Sequence, residues 1–145
     1  MNKESNWQEC IDSFSSLKVS PDSAKAKSLI ITAQGRIEFL KSIGLTENNV
    51  NYIFEGYYSS VLEMLHALIL LKGYKVSNLL CLGYYLRDVL KNDNLFRTFD
   101  DCRYKRNSLV YYGRKMDFET AKATIEKCLR LIKEIELLLK EEKKK

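Results

Sequence analysis

Apolar residues recur at spacings of three and four along most of the chain, which is the period of an amphipathic helix. The longest series lies between Thr46 and Gly73, and its members are Val50, Phe54, Tyr57, Val61, Met64, Leu68 and Leu71. A second apolar stripe runs beside it through Ile53, Tyr58, Leu62, Leu65 and Ile69. Because a helix that is apolar on two sides is buried, this segment is predicted to be the central helix of the fold.

Four further segments show the same spacing, and they cover residues 7–17, 20–44, 77–90 and 117–139. Pro21 and Asp117 stand where a proline and a capping acid favour the start of a helix. A short irregular or helical piece around Leu95 and Phe99 is expected to lead into residues 103–115. Since short connections favour antiparallel neighbours, we predict an all-α, antiparallel up-and-down bundle of four to five helices.

The composition agrees with a single helical domain over residues 1–145. One proline and six glycines among 145 residues favour long helices over many strands and turns. The charged tail 141–145 is predicted to be a solvated, frayed helix end. Wide apolar helix surfaces leave room for a homodimer seam, although an intramolecular core accounts for most of the pattern.

Polar chemistry concentrates in residues 103–115, which carry five basic side chains, three tyrosines and no acid. The net charge of +5 decides little about partners, but this cluster suits an anion. Its members are Arg103, Lys105, Arg106, Arg114 and Lys115, with Tyr104, Tyr111 and Tyr112. In an alternative interpretation, the arginines pair with Asp100 and Asp101 or cap helix ends, while the tyrosines pack on the bundle.

Several other classes of site are not favoured by the sequence. The four cysteines form no Cys-x-x-Cys pair and are predicted to be reduced, mostly buried thiols, without a zinc site or a disulfide framework. They are Cys10, Cys81, Cys102 and Cys128. Isolated glycines provide no phosphate-binding loop, so no cofactor is expected. The best apolar run, 61–71, is too short to cross a bilayer and the N-terminus lacks a signal-peptide core, which favours a cytoplasmic protein with no membrane partner.

Glu63 and His66 have the Glu-x-x-His spacing of ferritin-like metal bundles. That kind of site needs two such motifs in each subunit, and the chain has one histidine. No metal site is therefore predicted. A local pair between Glu63 and His66, or a hydrogen-bonded histidine on a half-buried face, is the favoured interpretation.

Two segments together resemble the HEPN family of small helical-bundle proteins. The segment 57–74 is similar to the family's central helix, with paired aromatics, small residues and a closing Gly-Tyr. The run Arg106-Asn107-Ser108-Leu109-Val110-Tyr111-Tyr112-Gly113 resembles the family signature of an arginine, a polar residue, three further residues and a histidine. With Ser77-Asn78 near the place where many members have Ser-His, the resemblance covers about residues 47–140.

The resemblance implies a metal-independent ribonuclease site formed across a dimer interface. Arg106 matches the signature arginine and Asn107 the polar residue, but Tyr111 stands at the histidine position. A phenol ordinarily titrates near pKa 10 and is a poor base at pH 7. Nuclease activity by the usual family route is therefore expected to be weakened or lost, with His66 as a second, less favoured candidate for the missing histidine.

Binding to RNA or another phosphate-bearing ligand would remain. The residues expected to bind nucleic acid are Arg103, Lys105, Arg106, Tyr112, Arg114 and Lys115, because arginine pairs with phosphate and tyrosine stacks on bases. The resemblance also implies a homodimer and a toxin–antitoxin partner, a small MNT-type nucleotidyltransferase. That partner modifies a tyrosine two residues after the signature histidine, where this chain has Gly113, so Tyr111 or Tyr112 would be the acceptor. The alternative function is a non-catalytic protein-interaction subunit for such an enzyme.

Overall fold

A computed structural model of the chain describes residues 4–143. Within this range there are six α-helices: α1 (Trp7–Asp12), α2 (Ser23–Lys41), α3 (Val50–Leu71), α4 (Leu79–Tyr84), α5 (Asp93–Tyr112) and α6 (Phe118–Lys143). Two short strands, β1 (Ser16–Lys18) and β2 (Tyr74–Val76), pair antiparallel. A π-helical turn, Tyr85–Val89, follows α4. The all-α helical bundle predicted from the sequence is confirmed.

Helix α3 is the central helix, as its two apolar stripes predict. It packs mainly against α2 and α6, and Phe54, Val61 and Met64 are fully buried along it. The helix ends before Gly73, whose φ of +92° is a backbone conformation that L side chains rarely adopt. Within residues 4–143, no helix combines the length and the apolar character that crossing a bilayer would require.

The first helix was predicted over residues 7–17, and this prediction is wrong beyond Asp12. The chain turns at Phe14, which has a φ of +64° and is 75% exposed, and then forms β1. Ser13 explains the early end of α1, because its hydroxyl donates to the carbonyl oxygen of Cys10 and accepts from the Ser15 N–H, and such local bonds compete with a helix. Leu17 therefore lies on an exposed strand position opposite Lys75 instead of on an apolar helix face.

The basic stretch lies mostly on a regular helix, which the sequence analysis did not predict. Helix α5 begins at Asp93 and continues without a break to Tyr112, and the side chain of Asn92 caps it by accepting a hydrogen bond from the Leu95 N–H. Gly113, with a φ of +62°, ends it. The polar run 91–94 therefore contains the start of α5 and does not only end the preceding helical segment. With α5, residues 4–143 have six α-helices instead of the predicted four to five.

Two of the four cysteines form a disulfide, so the prediction of reduced thiols is wrong for Cys10 and Cys81. The bond joins α1 to α4, which are separated by 71 residues in sequence. Cys102 and Cys128 are free and buried, as predicted, with their sulfur atoms 3.9 Å apart. Helical periodicity places each cysteine on a buried face but does not indicate which two faces meet.

The C-terminal helix continues further than a frayed end would. Asp117 caps α6 by accepting a hydrogen bond from the Thr120 N–H at 2.8 Å, as its sequence position predicts. The helix reaches Lys143, and Glu142 forms an ion pair with Lys72 at the end of α3. Residues 141–143 of the predicted charged tail are therefore helical, whereas 144–145 lie outside the described residues.

Candidate functional site

A groove of about 560 Å³ runs along one face of α5. Arg103, Asn107 and Tyr111 line it together because residues four apart lie on the same side of a helix. The opposite wall includes Ser77 and Asn78, at the turn before α4. The groove thus brings together the end of the basic stretch and the Ser77-Asn78 pair, which are distant in sequence.

Arg106 lies beside the groove, between two tyrosine rings. Its guanidinium carbon is 6.0 Å from the ring centroid of Tyr58 on the buried side and 6.0 Å from that of Tyr111 on the solvent side. No carboxylate of residues 4–143 lies within 4.0 Å of the Arg106 guanidinium. Ring contacts at this distance are weak, so no side chain among residues 4–143 neutralises the charge of Arg106.

The two other basic residues of the stretch 103–115 that lie on α5, Arg103 and Lys105, already have acidic partners. Arg103 donates to Asp100, with its Nη2 atom 2.8 Å from the carboxylate oxygen, and Lys105 lies 3.1 Å from Asp101. Asp101 also binds Lys127 of α6 at 2.8 Å. Burial would raise the pKa of Asp101, but hydrogen bonds from the two lysines lower it below its usual value. The pairing interpretation is therefore correct for Arg103 and wrong for Arg106.

Arg114 and Lys115 follow the end of α5 and lie outside the groove. Both are exposed, with Arg114 over the Tyr112 ring at 5.4 Å and Lys115 over the Tyr52 ring at 5.5 Å. Tyr111 and Tyr112 are 69% and 71% exposed. The alternative in which these two tyrosines pack on the bundle is therefore wrong, because both rings remain available to a ligand.

The structure adds Glu4 and Ser15 to the groove, and no sequence signal indicated either residue. Glu4 lies on the wall opposite Arg103, where its carboxylate accepts hydrogen bonds from Asn78 Nδ2 at 2.9 Å and Ser15 Oγ at 3.1 Å. It precedes the first helix and has no periodic pattern around it. The approach of this segment to α5 depends on tertiary packing alone.

His66 and Glu63 do not form the predicted local pair. Glu63 binds the guanidinium of Arg36 on α2 instead. His66 is half-buried, as predicted, and lines a cavity of about 220 Å³ with Lys25 and Tyr74. It lies two turns after Tyr58 along α3, about 12 Å by helix rise, and the structure does not bring it to the groove.

The stability of the protein should fall as the pH is lowered from 7 to 5, because of His66. Burial, helped by Lys25, lowers the pKa of His66, so the folded state binds fewer protons than the unfolded state below about pH 6.5. A single such group contributes at most about 1.4 kcal/mol per pH unit. Urea unfolding at pH 7 and pH 5 measures this change. His66→Gln should flatten the dependence, and an unchanged slope in that variant would contradict it.

Tyr58→Phe should stabilise the protein by about 1 kcal/mol, since burying an unpaired hydroxyl is costly. The Tyr58 hydroxyl is buried and has no hydrogen-bond partner among residues 4–143. Burial raises the pKa of Tyr58 well above its usual value, although the charges of Arg106 and Arg103 oppose the shift. Thermal and urea unfolding of the two proteins measure the difference. A loss of similar size would show that the hydroxyl has a partner in solution.

The groove and the exposed end of α5 follow one another along the chain and form what we call the α5 surface. Its members are Arg103, Arg106, Asn107, Tyr111, Tyr112, Arg114 and Lys115. Lys105 is part of the predicted binding set but is held against Asp101. Comparisons of the chain with models of known protein families, with curated proteins and with solved structures find no match.

Proposed function

We propose that the α5 surface binds single-stranded RNA, or another phosphate-bearing ligand, in a protein similar to the HEPN family. The observation that carries the proposal is the environment of Arg106, a cation without a carboxylate partner among residues 4–143, whose guanidinium carbon is 6.0 Å from the ring centroid of the groove residue Tyr111. Arginine pairs with phosphate through two parallel hydrogen bonds. A phosphate bound there would supply the missing counter-charge.

Three cations of the α5 surface contribute to phosphate binding. Arg106, Arg114 and Lys115 have no carboxylate within 4.0 Å among the described residues. Neutralising phosphates with such groups releases counterions, so the affinity should fall steeply with salt. Arg103 contributes less, because a phosphate would have to compete with Asp100 for its guanidinium.

The exposed tyrosines supply the second part of RNA recognition. Tyr111 and Tyr112 project from the end of α5, and Tyr104 is 64% exposed two turns earlier. Stacking of an unpaired base on an aromatic ring contributes about 1–3 kcal/mol and tolerates any base. A single strand is favoured over a duplex, since the bases of a duplex are already stacked on one another.

Nuclease activity is a further possibility within the proposal and is expected to be weak or absent. Asn107 and Tyr111 lie in the groove with Arg103, but Tyr111 replaces the general acid or base that the family signature supplies. His66 is remote from them.

The resemblance also implies two protein partners. One is a second copy of the chain, because a homodimer would bring two such surfaces together. The other is an MNT-type nucleotidyltransferase, for which exposed Tyr111 and Tyr112 would be accessible acceptors.

Arg106→Ala should weaken binding of a labelled single-stranded RNA by about tenfold or more, the effect of losing one charged hydrogen-bond partner. It should also reduce the slope of log affinity against log salt by about 1, for one lost phosphate contact. Fluorescence anisotropy at several salt concentrations, with chelator present, measures both quantities. The same samples, examined on a gel, report any cleavage and whether Tyr111→Phe abolishes it.

Two control variants make this measurement specific. Arg130→Ala removes an exposed arginine of α6 that lines a different pocket with Asn92 and Asn94, and it should leave the affinity nearly unchanged. Arg103→Ala should have a smaller effect than Arg106→Ala because of the pair with Asp100. Equal losses in Arg106→Ala and Arg130→Ala would show non-specific charge attraction and contradict the proposed site.

A further inference from the structure

Three potential metal ligands from separate parts of the chain meet beside the groove. They are the carboxylate of Glu4, before α1, and the sulfur atoms of Cys10 on α1 and Cys81 on α4, and all of these atoms lie within 4.8 Å of one another. We propose that, when the disulfide is reduced, Glu4, Cys10 and Cys81 form a binding site for a zinc ion. The site is separate from the α5 cations and does not depend on RNA binding.

The distances suit a tetrahedral zinc ion. Zinc binds cysteine sulfur at about 2.3 Å and carboxylate oxygen at about 2.0 Å, which places sulfur and oxygen ligands about 3.5 Å apart. Glu4 Oε2 lies 3.9 Å from Cys81 Sγ, so a small adjustment brings these two atoms to the required separation. The Cα atoms of Cys10 and Cys81 are 6.1 Å apart. Once the sulfur atoms are no longer bonded, rotation of the two side chains can separate them to the spacing that zinc requires.

The carboxylate of Glu4 is already held in position by its neighbours. The same Oε2 atom that faces Cys81 accepts hydrogen bonds from Asn78 Nδ2 and Ser15 Oγ. Hydrogen bonds of this kind to a ligand atom orient it toward the metal and are a regular feature of metal sites. Asn78 is itself fixed, because its Oδ1 atom accepts from the Leu80 N–H at the start of α4.

Reduction and metal binding are two balanced steps. A trialkylphosphine and water reduce the disulfide to two thiols and give the phosphine oxide. A divalent ion then replaces the two thiol protons, which are released to solvent, and forms two metal–thiolate bonds. The disulfide and the bound metal use the same sulfur atoms, so the oxidised protein cannot bind the ion at this site.

The ion would enter from the groove. Cys10 and Cys81 are fully buried, whereas Glu4 lines the groove with Ser15 and Asn78. Three protein ligands leave one of the four zinc positions for water or another small ligand. The metal would therefore stand at the wall of the groove opposite Arg103, and two thiolates and one carboxylate would exceed the charge of Zn²⁺ by one negative charge.

Titration of the phosphine-reduced full-length chain with Co²⁺, used as a coloured substitute for Zn²⁺, tests the proposal. Reduced wild type should bind one Co²⁺ with a sulfur-to-cobalt charge-transfer band and the visible bands of tetrahedral cobalt, and one equivalent of Zn²⁺ should remove them. The oxidised protein should show none of these bands. Absence of the charge-transfer band in the reduced wild type would overturn the proposal.

Variants separate this site from the other pair of cysteines. Cys10→Ser and Cys81→Ser should lose most of the charge-transfer band, and Glu4→Gln should weaken binding by about tenfold or more, since even indirect supports of a metal site contribute that much. Cys102→Ala is the matched control, because Cys102 lies in the second buried cysteine pair with Cys128. It should leave the titration unchanged. A band that survives Cys81→Ser and disappears in Cys102→Ala would place the metal elsewhere and refute the proposal.

Discussion

Reduction of the Cys10–Cys81 disulfide should lower the free energy of unfolding by about 4 kcal/mol, the value expected from chain entropy for a loop of this length. The two cysteines are 71 residues apart, and the loop between them contains α2 and α3. Reduction frees the unfolded chain to explore many more conformations. Helix α1 has six residues and is too short to be stable by itself, so after reduction it depends on tertiary contacts such as the hydrogen bond from the Trp7 N–H to the Asp88 carboxylate.

Urea unfolding followed by circular dichroism, with and without a phosphine and with chelator present, measures this effect. The double variant Cys10→Ala/Cys81→Ala should be insensitive to the phosphine. Cys102→Ala should keep the sensitivity of wild type, since Cys102 is not in the disulfide. Equal stabilities of the oxidised and reduced wild type would contradict the stabilising role of the bond.

Asn51→Ala should lower the free energy of unfolding by about 3 kcal/mol, because it leaves two backbone groups without their hydrogen-bond partner. Asn51 is 4% exposed. Its Oδ1 atom accepts from the Met116 N–H at 2.9 Å, and its Nδ2 atom donates to the Met116 carbonyl oxygen at 2.9 Å. These bonds attach the segment between α5 and α6 to α3, one residue beyond the cations Arg114 and Lys115.

The matched control for this variant is Asn48→Ala, which removes an exposed asparagine just before α3. Its stability should stay within about 0.5 kcal/mol of wild type, as is usual for exposed positions. Asn51→Asp should also be destabilising, since the aspartate cannot donate to the Met116 carbonyl oxygen. If Asn51→Ala is no less stable than Asn48→Ala, the two bonds to Met116 have no net effect.

Helices α2, α3 and α6 were predictable from the sequence because their signals are local. Helix α3 carries apolar residues at helical spacing over its whole length, and Asp22 and Asp117 cap α2 and α6 with hydrogen bonds to residues three positions later. Such patterns need no knowledge of the partner surface. The central position of α3 follows from its two apolar stripes for the same reason.

Features that depend on distant contacts were not predictable in this way. The disulfide requires α1 and α4 to meet, and β1 exists because its residues pair with β2 across 58 residues of sequence, from Leu17 to Lys75. Helix α5 was missed as a regular helix because its N-cap, Asn92, lies in a polar run that also ends the preceding helix. With α5 recognised, the spacing of Arg103, Asn107 and Tyr111 places them on one face.

The ion pairs of the α5 surface were predictable only in part. The sequence supplied the candidates and the competing interpretation, in which acids neutralise the arginines. The structure shows that one arginine is paired and the other is not. Asp100 lies one helical turn before Arg103 and pairs with it, whereas no acid lies one turn before Arg106. The tyrosines remain exposed because α5 extends to the surface at this end.

Photo-cross-linking of the protein to a single-stranded RNA that contains 4-thiouridine tests the central claim most directly. After digestion with trypsin, the cross-linked nucleotide should lie on the peptide 107–114, which begins after Arg106 and contains Tyr111 and Tyr112. Competition with unlabelled RNA should remove this product. Cross-links concentrated instead on a peptide such as 28–36 of α2, with none on 107–114, would contradict RNA binding by the α5 surface.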